Sequence, residues 1–307
     1  LGIGPNDEVI VPDITFVATG NAVKYTNATP VIVDVDKDTL CIDAKSVELA
    51  ITHKTKAIIV VHLYGNTPNM KHILSIARKN NLFVIEDAAE AHGAKFNNKM
   101  TGSMGTCGTF SFYGNKLITT GEGGAITTDD TDLYLKMKKL RDHGMSDQRR
   151  YWHDELGFNY RLTNIQAAIG VVQLARIDEI ISYRYKIVEM YGKYLDKVQG
   201  VRILRVQDPV KSVYWLVCVF IDFISPDQRD KFILFMKDRG VDSRPFFYPL
   251  TMLPMYSESH KRFENSVSHN IYFKGINLPT YHLITEDEIK IVCDNLKFSL
   301  KKFNLSC

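Results

Sequence analysis

The chain has 307 residues, 45% hydrophobic and 24% charged, and its 38 basic against 35 acidic side chains leave a net charge of +3. These proportions exclude a disordered tail, a collagen-like rod and a small disulfide scaffold, and the near balance of charge gives no electrostatic case for nucleic acid or membrane binding. No run of about 18 apolar residues and no signal-peptide pattern is present, while five scattered cysteines without a CxxC pair read as reduced thiols of a cytoplasmic protein and not as a zinc framework.

Leu1-Gly2-Ile3-Gly4-Pro5 has the form of a helix end, with glycine in the left-handed position and proline soon after. It predicts at least one helix upstream of Leu1, the alternative being a flexible loop. From Glu8 to about Asp130, short β-branched runs alternate with helical patterns. The strand candidates are Val9–Val11, Val31–Val35, Ala57–Val61, Leu82–Ile85, Thr109–Phe112 and Ala125–Thr127. Helix candidates between them are Thr15–Tyr25, Lys45–Ile51 and Asn69–Asn80. Near-continuous apolar strands alternating with helices predict a mostly parallel α/β sheet covered on both faces. From Thr163 to about Val198 apolar residues recur at three- and four-residue steps, predicting a long, kinkable connecting helix. Beyond Gln199-Gly200 the pattern changes to a strand over Val213–Phe223 and helices over Asp227–Arg239 and Thr285–Lys297. The chain therefore divides into a large unit, residues 1–198, and a smaller α+β unit, residues 199–307.

In open α/β sheets ligands bind beyond the carboxyl ends of the strands, and three such ends carry polar residues. In Val84-Ile85-Glu86-Asp87-Ala88-Ala89-Glu90, a carboxylate at the end of a buried strand calls for a cationic partner, unless Asp87 merely caps a helix. In Ser111-Phe112-Tyr113-Gly114-Asn115-Lys116, a lysine projects from a turn. A lysine withdrawn from water can form an imine with an aldehyde, whereas a solvated one does nothing. Thr120-Gly121-Glu122-Gly123-Gly124 implies close backbone approach or positive φ, and it lacks the dinucleotide fingerprint. Pyridoxal phosphate answers both groups at once: a lysine holds its aldehyde and an aspartate keeps its ring nitrogen protonated. Phe16 can cover the ring face or simply pack in the core. His53, His62, His143 and His282 have no metal-ligand spacing, and His62 reads as a core or edge histidine.

These segments, with Asp7–Pro12, Phe16–Thr19, Gly157–Asn164 and Arg244–Pro249, resemble the DegT/DnrJ/EryC1/StrS sugar aminotransferases in order along nearly the whole chain. Within that family the last two blocks are most similar to the perosamine-synthase type, which aminates nucleotide-linked 4-keto-6-deoxyhexoses. The resemblance implies a fold-type I enzyme with a seven-stranded, mostly parallel sheet, a smaller C-terminal domain and a homodimer with shared active sites. It implies that Lys116 anchors the cofactor and that Asp87 holds its ring nitrogen. Glu90 falls near its phenolic oxygen, Phe16 stacks on it, and Ser111 meets its phosphate. Asn159 and Arg161 reach the neighbouring subunit's site, and His143 sits in a turn near the site. Arg244, Phe246 and Tyr248 lie near the sugar nucleotide. The implied reaction takes an amino group from glutamate and gives it to the keto-sugar. Ketone position is not legible, so a C-3 aminotransferase stays open, as does a truncated, non-catalytic protein of this fold. A C-3 dehydratase, which replaces the lysine by histidine, is opposed by Lys116. The family's phosphate-binding turn is expected upstream of Leu1.

Overall fold

The computed structural model describes residues 1–256 and 266–305. Strands β1 (Glu8–Pro12), β2 (Thr29–Val33), β3 (Thr55–Val61) and β4 (Phe83–Asp87) alternate with helices α1 (Ala18–Tyr25), α2 (Ala44–Ala50) and α3 (Met70–Lys79). The short β5 (Lys95–Phe96) and β6 (Lys99–Met100) precede β7 (Cys107–Ser111) and β8 (Gly124–Thr127). Every strand and helix expected in this stretch is present, with ends shifted by a few residues. The β-branched runs succeed as strands because burial on both faces rewards them: all of β3 except Lys56 is buried.

The main sheet has the order β2-β1-β3-β4-β7-β8. All of its pairs are parallel except β7 with β8, which is antiparallel. Six strands form it among the described residues, one fewer than the resemblance implied. After β8 the chain turns into helix α4 (Thr131–Arg141) and a polar loop, and no later strand among the described residues pairs with the outer edge of β8. Helix α4 was not legible as an element because none of its residues is buried.

The expected long connector is two helices, α5 (Asn164–Leu174) and α6 (Ile177–Leu195), broken at Ala175-Arg176. Thr163 and Gln166 form a capping box at the start of α5, and Asp178 and Glu179 favour a fresh helix start in α6. The chain continues through β9 (Val201–Ile203), β10 (Val210–Lys211), β11 (Val217–Ile221), α7 (Pro226–Asp238) and β12 (Arg244–Pro245). It ends with α8 (Val267–Tyr272), β13 (Gly275–Leu278) and α9 (Glu286–Lys302). Strands β12-β13-β11-β9 make an antiparallel sheet whose core is closed by α6, α7 and α9 through Ile187, Tyr191, Phe232, Ile289 and Leu296.

Two backbone bonds lay the segment before β11 across the main sheet: the N–H groups of Val213 and Trp215 donate to Gly65 and Tyr64 at 3.0 Å each. Tyr64 holds a left-handed backbone, φ 55°, inside a cage of Trp215, Phe246 and Phe247. Tight packing against these rings offsets the cost of that conformation.

Candidate active site

Because β2 and β3 flank β1 on opposite sides, the strand order reverses there, and the carboxyl ends of β1, β3, β4 and β7 define the crevice where a ligand belongs. Asp87 ends β4. Its Oδ2 accepts from the Thr19 hydroxyl at 2.7 Å and its Oδ1 from the Ala89 N–H at 3.2 Å. Both oxygens are therefore oriented before any ligand arrives. Asp87 does not cap a helix, since a turn follows β4.

Glu90, one turn further on, is 5% exposed, and its Oε2 accepts from the Tyr64 N–H at 2.8 Å. Its other oxygen lies 3.7 Å from Lys116 Nζ. Burial, the largest influence, pushes the Glu90 carboxyl up to about 7 against the opposing pull of the Lys116 cation, and the nearby Asp87 charge adds to the rise. Lys116 is not a solvated loop lysine: its side chain is 12% exposed, and Nζ lies 4.3 Å from the centre of the Trp215 ring. The turn is locked by Lys116 N–H donating to Tyr113 and by the Trp215 indole donating to the Asn115 carbonyl at 2.8 Å. The glycine-rich segment behind it behaves as its composition implied. Gly123 has φ 133°, and a Cβ there would come within 2.6 Å of Leu162.

Phe16, before α1, is exposed, with its ring 5.7 Å from that of Phe247, so it does not pack in the core. Ser111 ends β7, two residues beyond the Thr109 that pairs with Asp87, and its Oγ accepts from Tyr113 N–H at 3.3 Å. Asp87, Glu90, Lys116, Phe16 and Ser111 thus all stand at the strand ends or on the turns that leave them. The residues fit pyridoxal phosphate. An amine shielded from water, a carboxylate oriented by two donors and an uncovered aromatic ring answer the aldehyde, ring nitrogen and ring face of that molecule.

The other expected residues separate into groups. His143, Asn159 and Arg161 come together on an exposed loop. Arg161 donates to Asn159 Oδ1 at 3.0 Å, pairs with Asp142 at 3.0 Å and lies 3.4 Å from the His143 ring. Arg244 lines a cleft of about 680 Å³ that backs onto the Lys116 turn. Tyr248 is half exposed against Tyr272. Phe246 corrects the expectation of a substrate contact: it is fully buried, 5.4 Å from both Tyr64 and Phe220. Just past β12 the Phe246 N–H donates to the Gly275 carbonyl at 3.3 Å, and Gly275 leaves room for its ring.

Several contributors were missed. Glu86, pointing away from Asp87, is fully buried and accepts from the N–H groups of Gly102, Met104 and Gly105 at 2.6–2.8 Å, while His62 Nε2 lies 2.8 Å away. Burial works to raise its carboxyl, but His62 and those N–H groups outweigh it and hold Glu86 below the usual carboxylate range. His62 is thus a core histidine. The adjacent Glu86-Asp87 pair could have shown this, since neighbours on a strand face opposite sides. Thr19, Tyr64 and Trp215 carry no local signal. His92, 4% exposed against Phe110 and Phe112, is pushed down to about 4, chiefly by burial and then by the Lys116 charge.

A lysine on a turn beyond a strand end, an oriented aspartate and an open aromatic ring on an α/β sheet are groups that a pyridoxal-phosphate enzyme can use. The DegT/DnrJ/EryC1/StrS aminotransferase family model matches residues 1–297, and the chain belongs to that family. GDP-perosamine synthase of Caulobacter vibrioides is 47% identical, over 94% of this chain and 78% of that protein. GDP-perosamine synthase of Escherichia coli O157:H7 is 40% identical, over 96% and 80%. A UDP-N-acetyl-3-dehydro-α-D-glucosamine 3-aminotransferase of Acidithiobacillus ferrooxidans is 35% identical, over 98% and 79%. Among solved structures, a putative sugar aminotransferase of Streptococcus pneumoniae superposes with a TM-score of 0.92 at 27% identity, over 98% of this chain and 82% of that one.

Proposed function

We propose that this aminotransferase moves an amino group from glutamate to a nucleotide-linked 4-keto-6-deoxyhexose, giving a 4-amino-4,6-dideoxy sugar nucleotide for polysaccharide synthesis. The observation that carries it is the shielded Lys116 amine beside Glu90, on one strand-end platform with the oriented Asp87. Substrate choice rests on the two relatives named GDP-perosamine synthase, which also favour GDP as the carrier.

Pyridoxal phosphate, when bound, supplies an electrophilic aldehyde and a ring that accepts electron density. Lys116 would hold the aldehyde carbon and, once displaced, take the α-proton from the donor carbon in the first half-reaction and deliver a proton to the aminated sugar carbon in the second. Asp87 would keep the ring nitrogen protonated, its geometry fixed by Thr19 and Ala89. Glu90 would face the phenolic oxygen, Phe16 the ring and Ser111 the phosphate. His143, Asn159 and Arg161 would complete the site of a partner copy, and Arg244 and Tyr248 would meet the sugar nucleotide. The exposed apolar residues of α5, including Ile165, Val171 and Val172, support a homodimer. The same reading places residues 1–198 in the cofactor-binding unit and 199–307 in the smaller one. It puts the enzyme in the cytoplasm, supported by the buried free thiols of Cys41, Cys107, Cys218 and Cys293; no helix among the described residues is long and apolar enough to cross a membrane.

The test supplies glutamate, pyridoxal phosphate and a panel of guanosine-, uridine- and thymidine-linked 4-keto-6-deoxyhexoses together with their 3-keto counterparts. The expected outcome is 2-oxoglutarate in equal amount to a sugar nucleotide whose amine is placed at C-4 by NMR. No 2-oxoglutarate with any member would sink the reading. Amination of a 3-keto substrate instead would move it to the alternative that the 3-aminotransferase relative favours.

A further inference from the structure

We propose that the cleft between the Lys116 turn and the β12-β13 sheet is an oxyanion site centred on Arg184, taking the carboxylate or phosphate group of a small molecule. This cleft, about 680 Å³, is walled by residues 114–117 on one side, α5 and α6 on another, and β12, β13 and the start of α9 on the third. Lys116 and Arg244 line it but Asp87, Glu90, Phe16 and Ser111 do not, so it adjoins the strand-end cluster from behind the lysine turn.

Arg184, on α6, is 6% exposed. One guanidinium nitrogen donates to the Thr280 carbonyl, but the buried Nε has no acceptor. No carboxylate lies within 4.0 Å of the guanidinium among the described residues. A guanidinium has five N–H donors and stays charged, so burying one without an anion is costly. Burial alone lowers Arg184 to about 10, with no neighbouring carboxylate to offset it. A second group on the same wall tells the same story: both ring nitrogens of His282 are buried without a partner. A buried guanidinium that lines a cavity of ligand size with no carboxylate beside it calls for an anionic occupant.

The charge of the lining sets the sign of that occupant. Lys116, Arg176, Arg184 and Arg244 face Asp242 and Glu288, and both carboxylates are engaged. Asp242 lies 3.7 Å from Arg244, while Glu288 accepts from the Thr285 N–H and hydroxyl at 2.7 and 2.8 Å to cap α9. The uncompensated charge is therefore positive and concentrated on the buried Arg184. Carboxylate and phosphate match the guanidinium fork equally well.

The protein loaded with pyridoxal phosphate, which keeps probes out of the cofactor's own phosphate site, is titrated calorimetrically with inorganic phosphate and, separately, with glutarate at constant ionic strength. Saturable binding of either probe is expected, and the preferred one identifies the group. Binding should weaken about tenfold or more in Arg184→Lys, the scale of one charged hydrogen bond, and less in His282→Phe. Should Arg184→Lys not fold, arsenate soaked into wild-type crystals and located by its anomalous signal decides. Arsenic beside Arg184 supports the site. No saturable binding of either probe, binding untouched by both variants, or arsenic found only elsewhere overturns it. None of these readouts depends on the sugar substrate, so they fail independently of the aminotransferase reading.

Discussion

The strand-end cluster around Lys116 and the loop from Asp142 to Thr163 are both dense in polar groups, yet they are built on opposite terms. In the first, Glu90, Thr19 and Trp215 are buried and hold Lys116 and Asp87 in fixed relation within one chain. In the second, His143, Asn159 and Arg161 are bonded to one another but solvated. Around them Tyr151, Trp152, Leu156, Phe158 and Tyr160 expose large apolar surface. Burial fixes the Lys116 amine in advance, whereas the solvated cluster beside uncovered aromatic rings leaves its geometry to whatever surface covers it.

The sharpest way to break this contrast is Lys116→Ala. Turnover should fall by about 10³-fold or more, while the amine form of the cofactor still binds, with product 2-oxoglutarate as the readout. Retained turnover would end the assignment. Phe246→Ala comes next and tests whether that ring belongs to the core: it should cost about 3–5 kcal/mol of stability in urea denaturation, with KM for the sugar nucleotide unchanged in the folded fraction. A raised KM without lost stability would restore Phe246 to the substrate site.

A smaller effect is a pH dependence peculiar to the buried cluster. Glu90, raised from 4.5 to about 7, leaves the folded protein holding a proton that the unfolded chain has released, so its contribution to stability falls as pH rises through that window. His92, lowered from 6.5 to about 4, acts oppositely: the unfolded chain takes up the proton first, and stability falls as pH drops through that window. In the cofactor-free protein the advantage of Glu90→Gln over wild type should grow by about 2–3 kcal/mol between pH 5 and 7. An advantage that stays flat with pH would mean that Glu90 is ionised throughout. The smallest effect on the single chain belongs to the loop. Arg161→Ala should shift chain stability by under about 1 kcal/mol, yet weaken self-association in sedimentation and lower activity. Unchanged activity would separate the loop from the site.

Much of this was legible in the residues. The six β-branched runs became the six strands of the main sheet because continuous apolar stretches of that length have few other stable uses. Asp87 and Lys116 stood out because polar groups at the ends of such strands have no structural need to be there. The break at Ala175-Arg176 was less visible, since the apolar period runs on through it and only the charges of the next turn mark it. Helix α4, lacking a buried face, gave no period to read.

Local chemistry along the chain thus set the sheet and its polar strand ends. Only packing decided that Trp215, a hundred positions from Asn115, would donate to its carbonyl, that Phe246 would turn into the core and that Arg184 would be buried without a counter-ion. Such outcomes depend on which surfaces meet across long separations, and a residue's own neighbours in sequence carry no record of that.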